Sequence, residues 1–302
     1  MIYDLIILGS GPAGLTAALY AARASKKTLV FGGDELGGQM AGIAKLENYP
    51  GFVGSGMDLA EFMKKQCESF GAEVVMGKVA KVEKKDGKFL VYTGGQEFES
   101  KTVIVATGAS PKKLEIKGAR EFFGKGVSYC ATCDGFFYSE KTIAVYGGGN
   151  SALNDALYLA NLAKKVYIVY RKSSFTRAED ILVKRVKETA NIECIFSTEI
   201  ESIEGNETGL TGINLISSTD KNTSTLAVDG LFVAIGHEAN TDFLSEEYKR
   251  DTLGKLVADH SKITDGLFVA GDVRSDNKMQ ICVATGWGCE ASMDAIAYLN
   301  KL

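Results

Sequence analysis

The 302-residue chain predicts an α/β protein built as two Rossmann-like, three-layer nucleotide-binding domains, the second inserted into the first. Two glycine-rich fingerprints carry that prediction: Gly9-Ser10-Gly11-Pro12-Ala13-Gly14 and Gly147-Gly148-Gly149-Asn150-Ser151-Ala152. Each follows an apolar run and opens an alanine- and leucine-rich segment, the setting in which a glycine pattern becomes informative. A third observation is an echo. The runs Thr102 to Gly108, Leu231 to Gly236 and Leu267 to Asp272 are each strand material running into glycine, and the last two follow Asp229-Gly230 and Asp265-Gly266.

Taken in order, Leu5 to Leu8 is a strand, Ala13 to Ala24 a helix and Lys27 to Phe31 the next strand. In this βαβ start Gly9 permits the tight turn, Gly11 lets the backbone approach a pyrophosphate, and Gly14 lets the helix pack close to the strand. The helix N-terminus then offers unpaired amides and its positive dipole end to the phosphates. An acid that would bind ribose is late, because the second strand ends Val30-Phe31-Gly32-Gly33 before Asp34 and Glu35. The insert begins between Pro111 and Gly118 and ends between Glu238 and Asp242, which divides the chain into 1–113, 114–241 and 242–302. Inside it, strand Thr142 to Tyr146, helix Ser151 to Leu162 and strand Val166 to Tyr170 repeat the βαβ pattern, with Ala152 as a permitted third-glycine variant. The chain returns from Phe243 and closes with a helix from about Trp287 to Leu299. Three prolines and no low-complexity stretch leave two glycine-flanked connections, compatible with a hinge.

Composition narrows the function. Apolar residues make up 45 %, enough to fill two cores, and a net charge of −4 gives no electrostatic case for nucleic acid. The longest apolar runs, such as Val103 to Ala106, are strand-sized, so no membrane span is expected. Met1-Ile2-Tyr3-Asp4 enters a strand without a basic, then apolar leader, and the expected location is cytoplasmic.

The six cysteines are irregularly spaced, unlike a secreted disulfide scaffold. Cys130 and Cys133 form a Cys-x-x-Cys pair able to close a small disulfide ring and exchange with a substrate disulfide. Cys67, Cys194, Cys282 and Cys289 read as small buried hydrophobes. No metal site is expected, since zinc needs a second ligand pair and His237 and His260 stand far apart. Asp134 reads equally as a turn or cap residue and as a general acid/base for thiol exchange. Core packing is the expected role of Phe136 and Phe137, with a landing surface for a protein disulfide as the alternative. About twenty residues past the second fingerprint, where an acid would favour a free 2′-hydroxyl, stand Tyr170-Arg171-Lys172 and Arg177. Such cations suit a 2′-phosphate, or else form a solvated basic turn.

With Gly37-Gly38-Gln39, Glu47 to Gly51, Ala106-Thr107-Gly108, Cys130 to Phe137, Ala234 to His237 and Ala270 to Val273 added in order, the chain resembles the bacterial-type, low-molecular-weight thioredoxin reductases from Met1 to about Leu299. The resemblance implies a homodimeric flavoprotein passing electrons from NADPH through FAD and the Cys130/Cys133 dithiol to thioredoxin, with Asp134 in the catalytic set. It puts FAD on Gly9, Gly11, Pro12, Ala13, Gly14, Gly38, Gln39, Asn48, Ala106, Thr107, Gly108, Gly271, Asp272 and Gln280. NADPH falls on Gly149, Asn150, Ser151, Arg171, Lys172 and Arg177. In such proteins the insert swings, so that dithiol and nicotinamide take turns at the flavin. The family pattern is broken at two places, the first reading Tyr170-Arg171-Lys172, four residues, Arg177 where the family has His-Arg-Arg, three residues, Arg. Lys172 replaces the second arginine of a His-Arg-Arg motif and cannot make arginine's two-pronged contact, and Met279 replaces the arginine before Gln280. The alternatives are a flavin-dependent dithiol oxidase and a relative fed by NADH, ferredoxin or a deazaflavin.

Overall fold

The computed structural model describes residues 1–43 and 46–302. In chain order, β1 (Ile2–Leu8), α1 (Pro12–Arg23) and β2 (Thr28–Phe31) are followed by α2 (Gly56–Ser69) and β3 (Glu73–Val75). Then come β4 (Val79–Lys85), β5 (Lys88–Thr93), β6 (Gln96–Val105) and β7 (Ala109–Pro111). The middle of the chain holds β8 (Val127–Ser128), the single turn α3 (Ala131–Asp134), β9 (Thr142–Tyr146), α4 (Asn150–Ala160) and β10 (Lys165–Val169). It continues through α5 (Asp180–Glu188), β11 (Ile192–Ile195), β12 (Thr198–Asn206), β13 (Gly209–Ser217), β14 (Thr223–Ala227), β15 (Gly230–Val233) and β16 (His237–Ala239). β17 (Lys262–Thr264), β18 (Leu267–Val269) and α6 (Ile281–Leu299) finish it.

Two compact units result: Met1–Ser110 with Glu238–Leu302, and Pro111–His237. The chain changes unit within β7 and at the start of β16, slightly ahead of the 113/114 and 241/242 divisions expected from sequence.

The first unit's sheet runs β17-β18-β6-β1-β2-β3, with β18, β6, β1, β2 and β3 parallel and a β4-β5 antiparallel ribbon joined to β6. Alternating residues of β1 face opposite layers. Leu5 and Ile7 pack with α1 and α6, while Ile6 and Leu8 pack with the ribbon side through Val82, Phe89 and Val91. The second unit repeats this with β11-β10-β9-β15-β8, all parallel. Ile143 and Val145 face α4 and α5, and Ala144 and Tyr146 face the antiparallel β12-β13-β14 layer. Both units are therefore three-layered.

Topology corrects the echo. β15 lies beside the fingerprint strand and follows an antiparallel layer, so its counterpart is β6, while β18 matches β8. The two Asp-Gly pairs do different work. Gly266 takes φ +79° in the turn between antiparallel β17 and β18. Gly230 begins β15, where a Cβ would lie 2.4 Å from the Tyr138 ring.

The last helix begins at Ile281, earlier than Trp287. Its first two turns contain Ile281, Val283 and Gly286, weak helix formers, and Gly288 comes shortly after. Packing prevails: a Cβ at Gly288 would stand 2.2 Å from the Ala13 carbonyl, and Ser292 Oγ donates to the Ala17 carbonyl at 3.0 Å. Among the described residues, no helix is long and apolar enough to cross a membrane.

Candidate functional site

In the first unit, β1 delivers Gly9 with φ +112° against the end of β6, where a Cβ would sit 2.2 Å from the Ala106 carbonyl. At Gly14 a Cβ would meet the Gly9 carbonyl at 1.9 Å, so only glycine lets α1 start this close to β1. Gly11 differs: the nearest atom to its missing side chain is 3.8 Å away, leaving an open face at the helix N-cap. With Pro12 at the helix start, no side-chain cap and no acid in the first turn, the N-terminal amides of α1 suit a diphosphate. At the end of β2 the Glu35 carbonyl, at 3.4 Å, faces Ser10 Oγ, which also donates to the Gly32 carbonyl at 2.8 Å.

Four of the predicted residues come together as two pairs. Gln39 Nε2 donates to Asp272 Oδ2 at 3.5 Å, and Asn48 Nδ2 donates to Gln280 Oε1 at 3.3 Å. Gly38 lies against Gly11, 3.9 Å from its Cα to a built Cβ, and Gly271 lies against Ala13. Burial pushes the Asp272 carboxyl up, opposed by the Lys255 ammonium and by a hydrogen bond from Asn277. The Ala106-Thr107-Gly108 loop is held by a residue the sequence does not flag: Asn240. Thr107 Oγ1 donates to the Asn240 carbonyl at 2.7 Å, Asn240 Nδ2 to the Thr107 carbonyl at 3.0 Å, and the Asn240 amide to Gly108 at 3.1 Å.

The second unit builds a similar cradle. A Cβ at Gly147 would lie 2.2 Å from the Ala234 carbonyl, one at Gly148 would strike the Tyr170 ring at 2.5 Å, and Gly149 faces open space. The loop after β10 folds back onto this turn. Arg177 bridges Gly149 through the backbone, and Asn150 holds Glu179 by two bonds of 2.8 Å, Nδ2 to the carboxylate and Oδ1 from the amide. Tyr170 stacks on Phe175, which meets Phe196 edge-on, stiffening the loop's base. Arg171 and Arg177 are exposed without a carboxylate partner among the described residues, Lys172 Nζ donates to Thr176 Oγ1 at 3.2 Å, and Ser151 is exposed at the start of α4. The loop thus brings Arg177 to the fingerprint, and Arg171 follows Tyr170, whose ring lies against Gly148. Asn150, by contrast, is committed to the latch.

Cys130 and Cys133 are joined in a disulfide across α3, with Cα atoms 5.3 Å apart. Cys130 is half-buried and its sulfur accepts the Cys133 amide at 3.2 Å, while Cys133 is exposed. Asp134 is half-buried and accepts from Ser128 Oγ at 2.6 Å; that same hydroxyl receives the Cys130 amide at 3.0 Å. Ser128, 2 % exposed on β8, therefore ties carboxylate and dithiol together, and no spacing in the sequence announces it.

Core packing does not hold for Phe136 and Phe137, which are 75 % and 70 % exposed. In their short 3₁₀ turn the inward places go to Gly135, pressed on Leu159 and Tyr158, and to Tyr138, edge-on to Phe232. The cysteine expectation also needs correcting. Cys67 is buried, and burial pushes its thiol up to about 11, but Cys194 and Cys289 are half-buried and Cys282 is exposed in the first turn of α6.

On α4, Asp155 falls between buried Ala152 and Leu159, on the stripe that faces Gly135. No described residue hydrogen-bonds it, and burial pushes its carboxyl up to about 7 from 3.8. A folded-state value above the unfolded one means the folded chain holds this proton more tightly, so the contribution of Asp155 to stability is greatest below about pH 4 and is lost as pH rises through about 7. Asp155→Asn should therefore stabilise the protein at about pH 8 by on the order of 1–2 kcal/mol, an allowance for partial exposure below the full shift. The gain should vanish near pH 4. Urea-denaturation midpoints across that range check it.

Comparison with known proteins agrees with this geometry. The family model described as pyridine nucleotide-disulphide oxidoreductase matches residues 3–288. The thioredoxin reductase of Helicobacter pylori is 40 % identical, covering 98 % of this chain and 99 % of its own length. Among solved structures, Lactococcus lactis thioredoxin reductase in the FR conformation superposes with a TM-score of 0.96 at 36 % identity, covering 99 % of this chain and 100 % of that one. The T. acidophilum thioredoxin reductase gives 0.93 at 32 % identity, with 99 % of each chain covered. A family match over nearly the whole sequence, joined to these full-length likenesses, settles its lineage: the chain belongs to the pyridine nucleotide-disulphide oxidoreductase family.

Proposed function

We propose that this protein is a thioredoxin reductase that draws electrons from NADPH and relays them through FAD in the first unit and Cys130/Cys133 in the second. The observation that carries the reading is the Cys130–Cys133 disulfide, backed by Ser128 and Asp134 within the unit that also holds the second glycine cradle. A bound flavin supplies the capacity to take an electron pair from a nicotinamide and yield it to a disulfide. The chain's own residues do the rest. The first turn of α1 holds the flavin nucleotide's diphosphate, and Asp272, Gln39, Asn48 and Gln280 contribute polar contacts to the same cofactor. Arg171, Lys172 and Arg177 hold the 2′-phosphate of the donor.

Reduction of the Cys130–Cys133 bond consumes two electrons and two protons and gives two thiols. One, as thiolate, attacks the thioredoxin disulfide, forming a mixed disulfide and releasing one thioredoxin thiol. The other then attacks the mixed disulfide, which re-forms the Cys130–Cys133 bond and frees the second thiol. Asp134, oriented by Ser128, accepts and returns the proton at the departing sulfur. The exposed rings of Phe136 and Phe137, just past the dithiol, offer apolar surface to the incoming protein.

The test is a visible spectrum of the purified protein during titration with NADPH, then NADH, then oxidised thioredoxin. NADPH should bleach the flavin band stoichiometrically and thioredoxin should restore it. A colourless protein that refuses FAD, or a flavin that neither nucleotide reduces, overturns the reading.

A further inference from the structure

We propose that Asn277 is a positioning residue for the flavin site, clamping the Asp272 carboxylate so that its second oxygen stays an acceptor for a ligand hydroxyl. The inference rests on the flavin reading of the first unit. Asn277 is 9 % exposed, and its Nδ2 donates to Asp272 Oδ1. Its own Oδ1 is buried without a hydrogen-bond partner among the described residues. The amide could not be turned over to relieve this, because two oxygens would then face each other at Asp272. The arrangement thus leaves one buried acceptor unsatisfied so that Asp272 Oδ1 is fixed.

Among the described residues, that leaves Asp272 Oδ2 with only the long 3.5 Å hydrogen bond from Gln39. An acceptor so placed selects O–H or N–H donors and rejects phosphate oxygens, so it fits the hydroxyl-bearing chain of a flavin nucleotide and not its diphosphate. The clamp also acts against burial, which favours the protonated acid at Asp272, an acid that would lose its acceptor character. Few charges share that task. Lys255 is the cation that lowers Asp272, and the turn at Gly38–Met40 brings only the Gln39 amide. From α1 the approach is through Ala13, with no charged side chain before Arg23, and the first turn of α6 carries only the Cys282 thiol.

The experiment measures FAD affinity by flavin fluorescence on the reconstituted full-length protein at about pH 8 and about pH 5.5. Asn277→Leu keeps the volume and removes the donor; Asn277→Ala decides the matter if the leucine variant fails to fold by circular dichroism. Wild type should vary by less than about 2-fold between the two conditions. The variants should bind about 5-fold to 50-fold more weakly at the higher pH, with a further loss of about 5-fold at the lower one as Asp272 takes up a proton. Unchanged affinity in the variants overturns the proposal, and so does weaker binding with a flat pH profile, which lost packing alone would give. If wild type itself takes up no FAD, it is the flavin reading that falls.

Discussion

Cys130→Ser and Cys133→Ser should each abolish thioredoxin reduction, by at least on the order of 1,000-fold in kcat, while leaving the flavin reducible by NADPH. A serine hydroxyl is a far weaker nucleophile than a thiolate and cannot close a disulfide, so neither variant can complete both exchange steps. The residues proposed to hold the flavin all belong to the other compact unit, and neither cysteine is among them. Stopped-flow reduction followed by steady-state turnover separates the two half-reactions. Full thioredoxin turnover in both variants would show that the dithiol is not the relay.

The second large effect is on donor choice. Arg171→Ala should raise KM for NADPH by about 10-fold to 150-fold and leave KM for NADH nearly unchanged, since a charge-assisted phosphate contact contributes on the order of 1.5–3 kcal/mol. Exposure of Arg171 favours the lower part of that range. Its neighbour Lys172 spends one ammonium hydrogen on Thr176, so the guanidinium is the better phosphate ligand of the two. An equal effect on both nucleotides would put the phosphate contact elsewhere.

The sequence reads clearly wherever function demands a particular backbone. Gly9, Gly14 and Gly147 occupy places where a side chain would collide with a carbonyl, and such demands leave glycine in a recognisable spacing. The Cys-x-x-Cys pair is legible for a like reason: three residues set the reach of one disulfide. What escaped notice acts across long separations with ordinary residue types. Asn240 meets Thr107 from 133 positions away, and nothing in the composition around either marks the pair. Ser128 and Asn277 are similarly silent, because a serine or asparagine is commonplace and only its burial gives it weight. Phe136 and Phe137 show the reverse failure. Apolar identity implies burial on average, but a turn with period three had already assigned its inward places to Gly135 and Tyr138.

The two glycine turns differ in where they refuse a side chain. The first cannot accept even a methyl group at its third glycine, where the carbonyl of Gly9 waits at 1.9 Å, whereas the second already carries one at Ala152. The second turn has its own tight place instead, at Gly148 against the Tyr170 ring, so each turn holds two glycines that refuse a side chain: Gly9 and Gly14, and Gly147 and Gly148. A descendant gene would find neither turn easier to remodel than the other, only different in where it yields.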